Sequence, residues 1–113
     1  ITYSNKAKRK LLNVKKTTLK EVGAVSEKTA REMAKGAILA SGADAAIATT
    51  GIAGPAGGTE EKPVGLVYIA VSVRGQMYVE EHHFEGDRTE VRESTVQAAL
   101  ALLKKGLEET AAE

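Results

Sequence analysis

The run Thr49-Thr50-Gly51-Ile52-Ala53-Gly54-Pro55-Ala56-Gly57-Gly58 constrains this chain more than any other stretch. An apolar segment, Asp44 to Ala48, stops at the two threonines, and a loop with four glycines and a proline follows. After Lys62-Pro63 a β-rich run begins, Val64 to Val73. Glycine tolerates positive φ and lets a ligand reach bare backbone, whereas proline fixes φ and stiffens a loop. A glycine-rich loop leaving a buried strand is where open α/β sheets bind small molecules. Function is therefore expected in this loop rather than in the flanking helices.

The 113 residues suit one domain. Hydrophobic residues make up 42% but aromatics only 4%, so the core must be built from Ala, Val, Leu and Ile. A net charge of +1 argues against the broad basic footprint of a nucleic-acid binder. No apolar run has the length of a membrane span, and no secretory signal is present, so neither membrane nor export is expected. The absence of cysteine excludes disulfides and thiolate metal sites and fits a reducing cytoplasm.

Local signals give an order of elements. Ile1-Thr2-Tyr3 reads as the tail of a strand. Ser4 is placed to cap a short helix carrying Ala7, Leu11 and Leu12 and ending near Asn13. Thr18 and Glu21 make a capping-box pattern for a further turn, stopped by Gly23. Ser26 caps a stronger helix with apolar Ala30, Met33, Ala34, Ala37 and Ile38, ended by Gly42. Ala43 to Thr49 is predicted as a buried strand, and Gly65–Val73 with Met77–Phe84 as a hairpin across Arg74-Gly75-Gln76. Asp87 and Glu90 open a last helix with the stripe Val91, Thr95, Ala98, Leu102 and Gly106, and Glu108 to Glu113 is expected to fray. This order fits an α/β fold, a mixed sheet covered by helices.

Three places have chemistry to offer. If Tyr3 ends a strand and Lys8 lies on the first turns of a helix, both face the crevice at that strand's carboxyl end, with Ser4 and Asn5 between them. A lysine desolvated there loses its proton near neutral pH and serves as a general base, and a tyrosine hydroxyl relays that proton or holds the amine. The alternative is a solvated lysine among Lys6, Arg9 and Lys10 with Tyr3 at the core edge. Thr50, Gly51 and Gly54 offer a hydroxyl and backbone N–H groups to a phosphate or oxyanion, or else form a long structural turn. They match neither a Walker A motif nor a dinucleotide fingerprint. Arg88 stands at a helix start, where it opposes the dipole unless an anion or carboxylate offsets the cost. His82 and His83 are adjacent on a predicted strand and point to opposite faces, which gives no metal site. The charge run Glu60-Glu61-Lys62 is read as a solvated loop tip.

Taken together, Ile1-Thr2-Tyr3-Ser4-Asn5-x-Ala7-Lys8, Gly23-Ala24-Val25-Ser26-Glu27, Thr50-Gly51-Ile52-Ala53-Gly54-Pro55 with Gly57-Gly58-Thr59, and Lys62-Pro63-Val64-Gly65 resemble the CinA C-terminal domain family. That family comprises the nicotinamide mononucleotide deamidases (PncC-like amidohydrolases) and the competence/damage-inducible CinA proteins. The resemblance runs from Ile1 to about Leu103. It implies a three-layer α/β/α sandwich and hydrolysis of the carboxamide of nicotinamide mononucleotide, a pyridine nucleotide, to nicotinate mononucleotide and ammonia. A serine attacks the amide carbon, a lysine takes its proton and a tyrosine assists, without metal or other cofactor. By motif position the lysine is similar to Lys8 and the tyrosine to Tyr3. Ser4, Asn5, Thr50, Gly51, Gly54 and Arg88 are the substrate-binding candidates.

The family's nucleophile lies in a Ser-Cys-Thr-Gly-Gly-type segment before the Tyr-Ser-Asn motif. No cysteine and no Ser-x-Thr-Gly-Gly occurs here, so the domain over residues 1–113 is expected to be truncated at its amino end relative to the family. Apolar surface should then be exposed where the absent helix and strand pack. A missing amino-terminal segment or a homo-oligomer partner is the expected cover, and a non-catalytic nucleotide-binding or assembly module is the alternative to an amidase.

Overall fold

The computed structural model describes residues 2–111. Ser4 caps α1 (Asn5–Leu12) by accepting the Ala7 N–H at 3.0 Å, and Asn13 ends it in the left-handed conformation. A single short helix, α2 (Lys16–Glu21), follows. Its expected cap is corrected: Thr18 lies inside the helix, fully buried, and donates to Glu32 Oε2 at 2.7 Å. Glu32 Oε1 also accepts the Lys15 N–H at 2.8 Å, so a carboxylate from the next helix does the capping from outside. Ser26 caps α3 (Glu27–Ser41), and Gly42 closes it at φ 70°.

Three strands follow, β1 (Ala45–Gly51), β2 (Leu66–Val73) and β3 (Gln76–His83), in the order β1-β2-β3. Both pairings are antiparallel, with Ala48 opposite Ala70 and Ala70 opposite Val79. β1 runs two residues further than expected because Thr50 and Gly51 stay in register with Tyr68 and Val67. The β2–β3 turn is two residues, Arg74 and Gly75, both at positive φ, as a hairpin following the strand twist demands. Arg74 is tied down: its Nη1 donates to Thr110 Oγ1 at 2.7 Å and to the Leu107 carbonyl at 3.2 Å. Those bonds hold the end of α4 (Arg88–Thr110) against the hairpin. The fraying expected from Glu108 is not seen as far as Thr110, which is buried and helical; Ala112 and Glu113 lie outside the described residues.

Residues alternate across β2 between two cores. Val67, Ile69, Val71 and Val73 pack with Val91, Ala99 and Leu102 of α4. On the other face Ala70, with Ala48 of β1, packs with Val14 and with Ala30, Met33 and Ala34 of α3. Helices thus cover both faces of the sheet, and the α/β/α layering stands. β2 is buried on both faces, which is why its sequence is almost continuously apolar. The α4 stripe shifts slightly: Ala99 is buried, and Ala98 packs at the core margin. α1 crosses α3 closely enough that a Cβ on Gly36 would fall against the Leu12 carbonyl.

The expectation for the amino end also differs from what is seen. Thr2 and Tyr3 are irregular backbone, not part of the sheet, so the mixed sheet that a strand ending at Tyr3 would give is absent among the described residues, where every pairing is antiparallel. Ile1 lies outside them. The outer side of β1 accordingly has no strand partner there, and apolar residues beside it are open: Ile47 is 37% exposed, Leu11 57%, and Val96 and Leu100 on α4 58% and 57%. No described helix is long and apolar enough to cross a membrane.

Candidate functional site

At the carboxyl end of β1 the chain turns into the glycine-rich loop, and the amino ends of α1 and α4 meet it. A cleft of about 370 Å³ opens there, within the range of small-molecule sites. Among its walls are Asn5 and Lys8 of α1, Ala24 and Val25 of the α2–α3 turn, Thr50 of β1, and Arg88 of α4.

Lys8 is the unusual member. It is 6% exposed, although it lies on a helix whose other lysines and arginine face solvent. Capping by Ser4 fixes where α1 starts, and that start turns position 8 inward while Lys6, Arg9 and Lys10 point out. Its Nζ donates to the Thr2 carbonyl at 2.7 Å. Burial disfavours the ammonium and pushes the Lys8 pKa below the ordinary lysine value. No carboxylate forms an ion pair with it among the described residues. The solvated-lysine alternative is thereby set aside.

Thr50 is also buried, and its Oγ1 donates to the Ala24 carbonyl at 2.7 Å. That bond uses the hydroxyl proton and leaves the oxygen as an acceptor toward the cleft. Gly51 lines the cleft beside it, and a Cβ there would crowd the Leu66 carbonyl oxygen and the Val67 side chain at 2.7 Å, so backbone stays exposed at this point.

The remaining candidates divide. Asn5 and Arg88 line the cleft. Arg88 escapes the expected conflict with the helix dipole by donating from Nη1 to the Gly54 carbonyl at 2.9 Å, while the box formed by Asp87 and Glu90 caps α4. One of the five guanidinium donors is used in that bond. Gly54 itself is buried under Val64 and acts through its carbonyl rather than as a cleft wall. Ser4 does not line the cleft; its hydroxyl is the α1 cap. Tyr3 sits at the rim, 87% exposed. Ala24, Val25 and Met33 were not singled out as site residues by their chemistry, although Gly23-Ala24-Val25-Ser26-Glu27 stood out as a motif.

The loop tip needs one correction. Glu60 and Glu61 are exposed as expected, but Lys62 is half-buried and its Nζ donates to the Val22 carbonyl at 2.6 Å. His82 and His83 each meet the carboxylate two residues earlier, Glu80 at 2.9 Å and Glu81 at 2.7 Å, and both lie away from the cleft lining. No group of three or more described His, Asp or Glu residues is arranged to hold a metal ion.

A three-layer α/β/α sandwich with a buried amine beside a glycine-lined strand end defines an α/β protein with a cleft of small-molecule size. The CinA C-terminal domain family model matches residues 1–107, and the chain belongs to that family. It is 54% identical over 107 residues to a protein of Clostridium novyi (strain NT) named as competence-damage inducible, covering 95% of this chain and 26% of the relative. A Clostridium tetani protein of the same name is matched equally well, and the chain thus spans about a quarter of the length of these curated relatives. Among solved structures, the competence/damage inducible protein CihA of Agrobacterium tumefaciens superposes with a TM-score of 0.90 at 49% identity, covering 92% of this chain and 64% of that one. The competence damage-inducible protein A of Klebsiella pneumoniae gives 0.91 at 41%, covering 96% and 68%.

Proposed function

We propose that this domain is the base-bearing part of an amide hydrolase acting on the carboxamide of nicotinamide mononucleotide, with Lys8 as general base. The observation that carries the reading is the burial of the Lys8 amine in the wall of a cleft that also presents Thr50, Gly51, Asn5 and Arg88. A neutral amine takes the proton of an attacking hydroxyl as the C–O bond forms and gives it to the departing nitrogen as the C–N bond breaks, releasing ammonia. Water then hydrolyses the resulting ester to the carboxylate. Gly51 backbone and the Thr50 oxygen are suited to the amide end of a ligand, and Arg88 to a phosphate.

The hydroxyl that attacks is assigned to a segment outside these residues. The serines of this chain are otherwise employed: Ser4 and Ser26 cap helices, and Ser41 donates to the Ala37 carbonyl at 2.6 Å. Ser72 lies within β2 and Ser94 within α4. The family's amino-terminal serine segment, joined ahead of Ile1, should give ammonia release from nicotinamide mononucleotide, and Lys8→Ala in that protein should abolish it. Full turnover by the Lys8→Ala protein would end the base assignment.

A second reading follows from the same engagement of the serines. The 113-residue chain by itself is then a nucleotide-binding or assembly module without turnover. The protein extended by the serine segment separates the two: ammonia release from nicotinamide mononucleotide supports the amidase, whereas calorimetric binding of the nucleotide without release supports the module.

A further inference from the structure

Three successive carbonyls of the turn between α2 and α3 are each held by a side chain. Val22 accepts from Lys62 Nζ at 2.6 Å. Gly23 accepts from Thr29 Oγ1 at 2.7 Å and Ser26 Oγ at 3.0 Å. Ala24 accepts from Thr50 Oγ1 at 2.7 Å. The donors come from the glycine-rich loop, from α3 and from β1. The residues fixed in this way lead straight into Ala24 and Val25, which form one wall of the Lys8 cleft.

Lys62 is the loop's contribution, 40 residues from its acceptor. Its own backbone is set by Thr59, whose N–H donates to the Lys62 carbonyl at 2.8 Å and whose Oγ1 accepts the Lys62 N–H at 3.0 Å. The loop is therefore fastened twice. Arg88 holds its outgoing limb at Gly54, and Lys62 holds its return limb at Val22. The fit at the second fastening is close: a Cβ on Gly23 would stand 3.2 Å from Lys62 Nζ, and Gly23 has φ +78°. A donor bearing full charge binds a carbonyl more strongly than a neutral one.

We propose that Lys62 is a positioning residue for the ligand cleft. By latching the return limb of the glycine-rich loop onto the Val22 carbonyl, it fixes the turn that leads into the Ala24–Val25 wall, beside the direct bond from Thr50 to Ala24, and so tunes the affinity of the cleft for its nucleotide. This rests on the nucleotide reading above. It also accounts for Lys62 and Gly23 belonging to separate sequence motifs that meet at one contact.

Lys62→Met in the 113-residue chain keeps the aliphatic stem and removes the donor. Amide hydrogen exchange should accelerate about tenfold over residues 22–26 and 58–65, while β2 amides keep their rates. Affinity for nicotinamide mononucleotide, read by calorimetry, should fall about tenfold with Tm nearly unchanged. Unchanged exchange over residues 22–26 overturns the latch. Weaker binding accompanied by faster exchange throughout β2 overturns positioning in favour of general destabilisation. An unaltered chain that binds and a Lys62→Met chain that binds equally well refutes the role of Lys62 alone. An unaltered chain that takes up no nicotinamide mononucleotide refutes the nucleotide reading, and the affinity role with it.

Discussion

Lys8 Nζ donates to the Thr2 carbonyl oxygen at 2.7 Å, six residues back along its own chain. The partner is a carbonyl rather than a carboxylate, and that decides the electrostatics. A carboxylate would hold the proton on the amine, whereas a neutral carbonyl in a buried setting leaves desolvation dominant, and the pKa falls. The same bond ties the irregular residues before α1 to the helix that carries the amine.

The stability consequence has a definite sign. The folded Lys8 pKa lies below its unfolded value, so between the two the unfolded chain binds more protons and stability rises with pH. Lys8→Met removes the buried ionisable group. It should raise stability near neutral pH by on the order of 1 kcal/mol and flatten the rise below the ordinary lysine value. Urea denaturation at several pH values checks this, and a destabilised Lys8→Met with an unaltered pH slope would contradict it.

Thr50→Val keeps the shape of the side chain and deletes the bond to Ala24. Stability should drop by about 1–3 kcal/mol because the carbonyl loses its donor. Under the proposed nucleotide reading, nicotinamide mononucleotide binding should weaken as well, since the Ala24–Val25 wall is no longer pinned to β1. Equal affinity in calorimetry would show that the wall does not shape the cleft.

Gly36→Ala tests the packing that carries α1, and with it Lys8, onto α3. The new methyl would overlap the Leu12 backbone, which has no rotamer to relieve it. Destabilisation of about 3 kcal/mol or more is expected in urea titration. Loss of the depressed Lys8 pKa should accompany it, because α1 must move away.

Asp87→Ala removes the cap that orients the first turn of α4 and the Arg88 guanidinium. A cost of about 1 kcal/mol is expected in thermal or urea unfolding, from the lost side-chain bond to the Glu90 N–H. Ligand affinity should fall further than stability alone dictates.

Much of this was legible in the chain itself because the signals were local. Ser4, Ser26 and Asp87 mark three helix starts, Asn13 and Gly42 two ends, and Arg74-Gly75 the hairpin, each through the backbone it satisfies. What escaped was long-range. Thr18 looked like a cap but is an interior residue pinned by Glu32, fourteen residues away. Lys62 looked solvated among charges but reaches Val22. Tyr3 was expected at a strand end, and that pairing depends on residues distant in sequence. In the site, Lys8, Asn5, Thr50, Gly51 and Arg88 converge, whereas Ser4 is taken by its helix and Gly54 by Arg88.

The central claim is that the Lys8 amine gives up its proton more readily than a solvated lysine does. Carbon-detected NMR titration of side-chain-labelled lysine, with Lys8→Met to assign the signal, tests it most directly. The account predicts one resonance that titrates below the ordinary lysine value and is missing from Lys8→Met. A Lys8 resonance that titrates at or above the ordinary lysine value would contradict it.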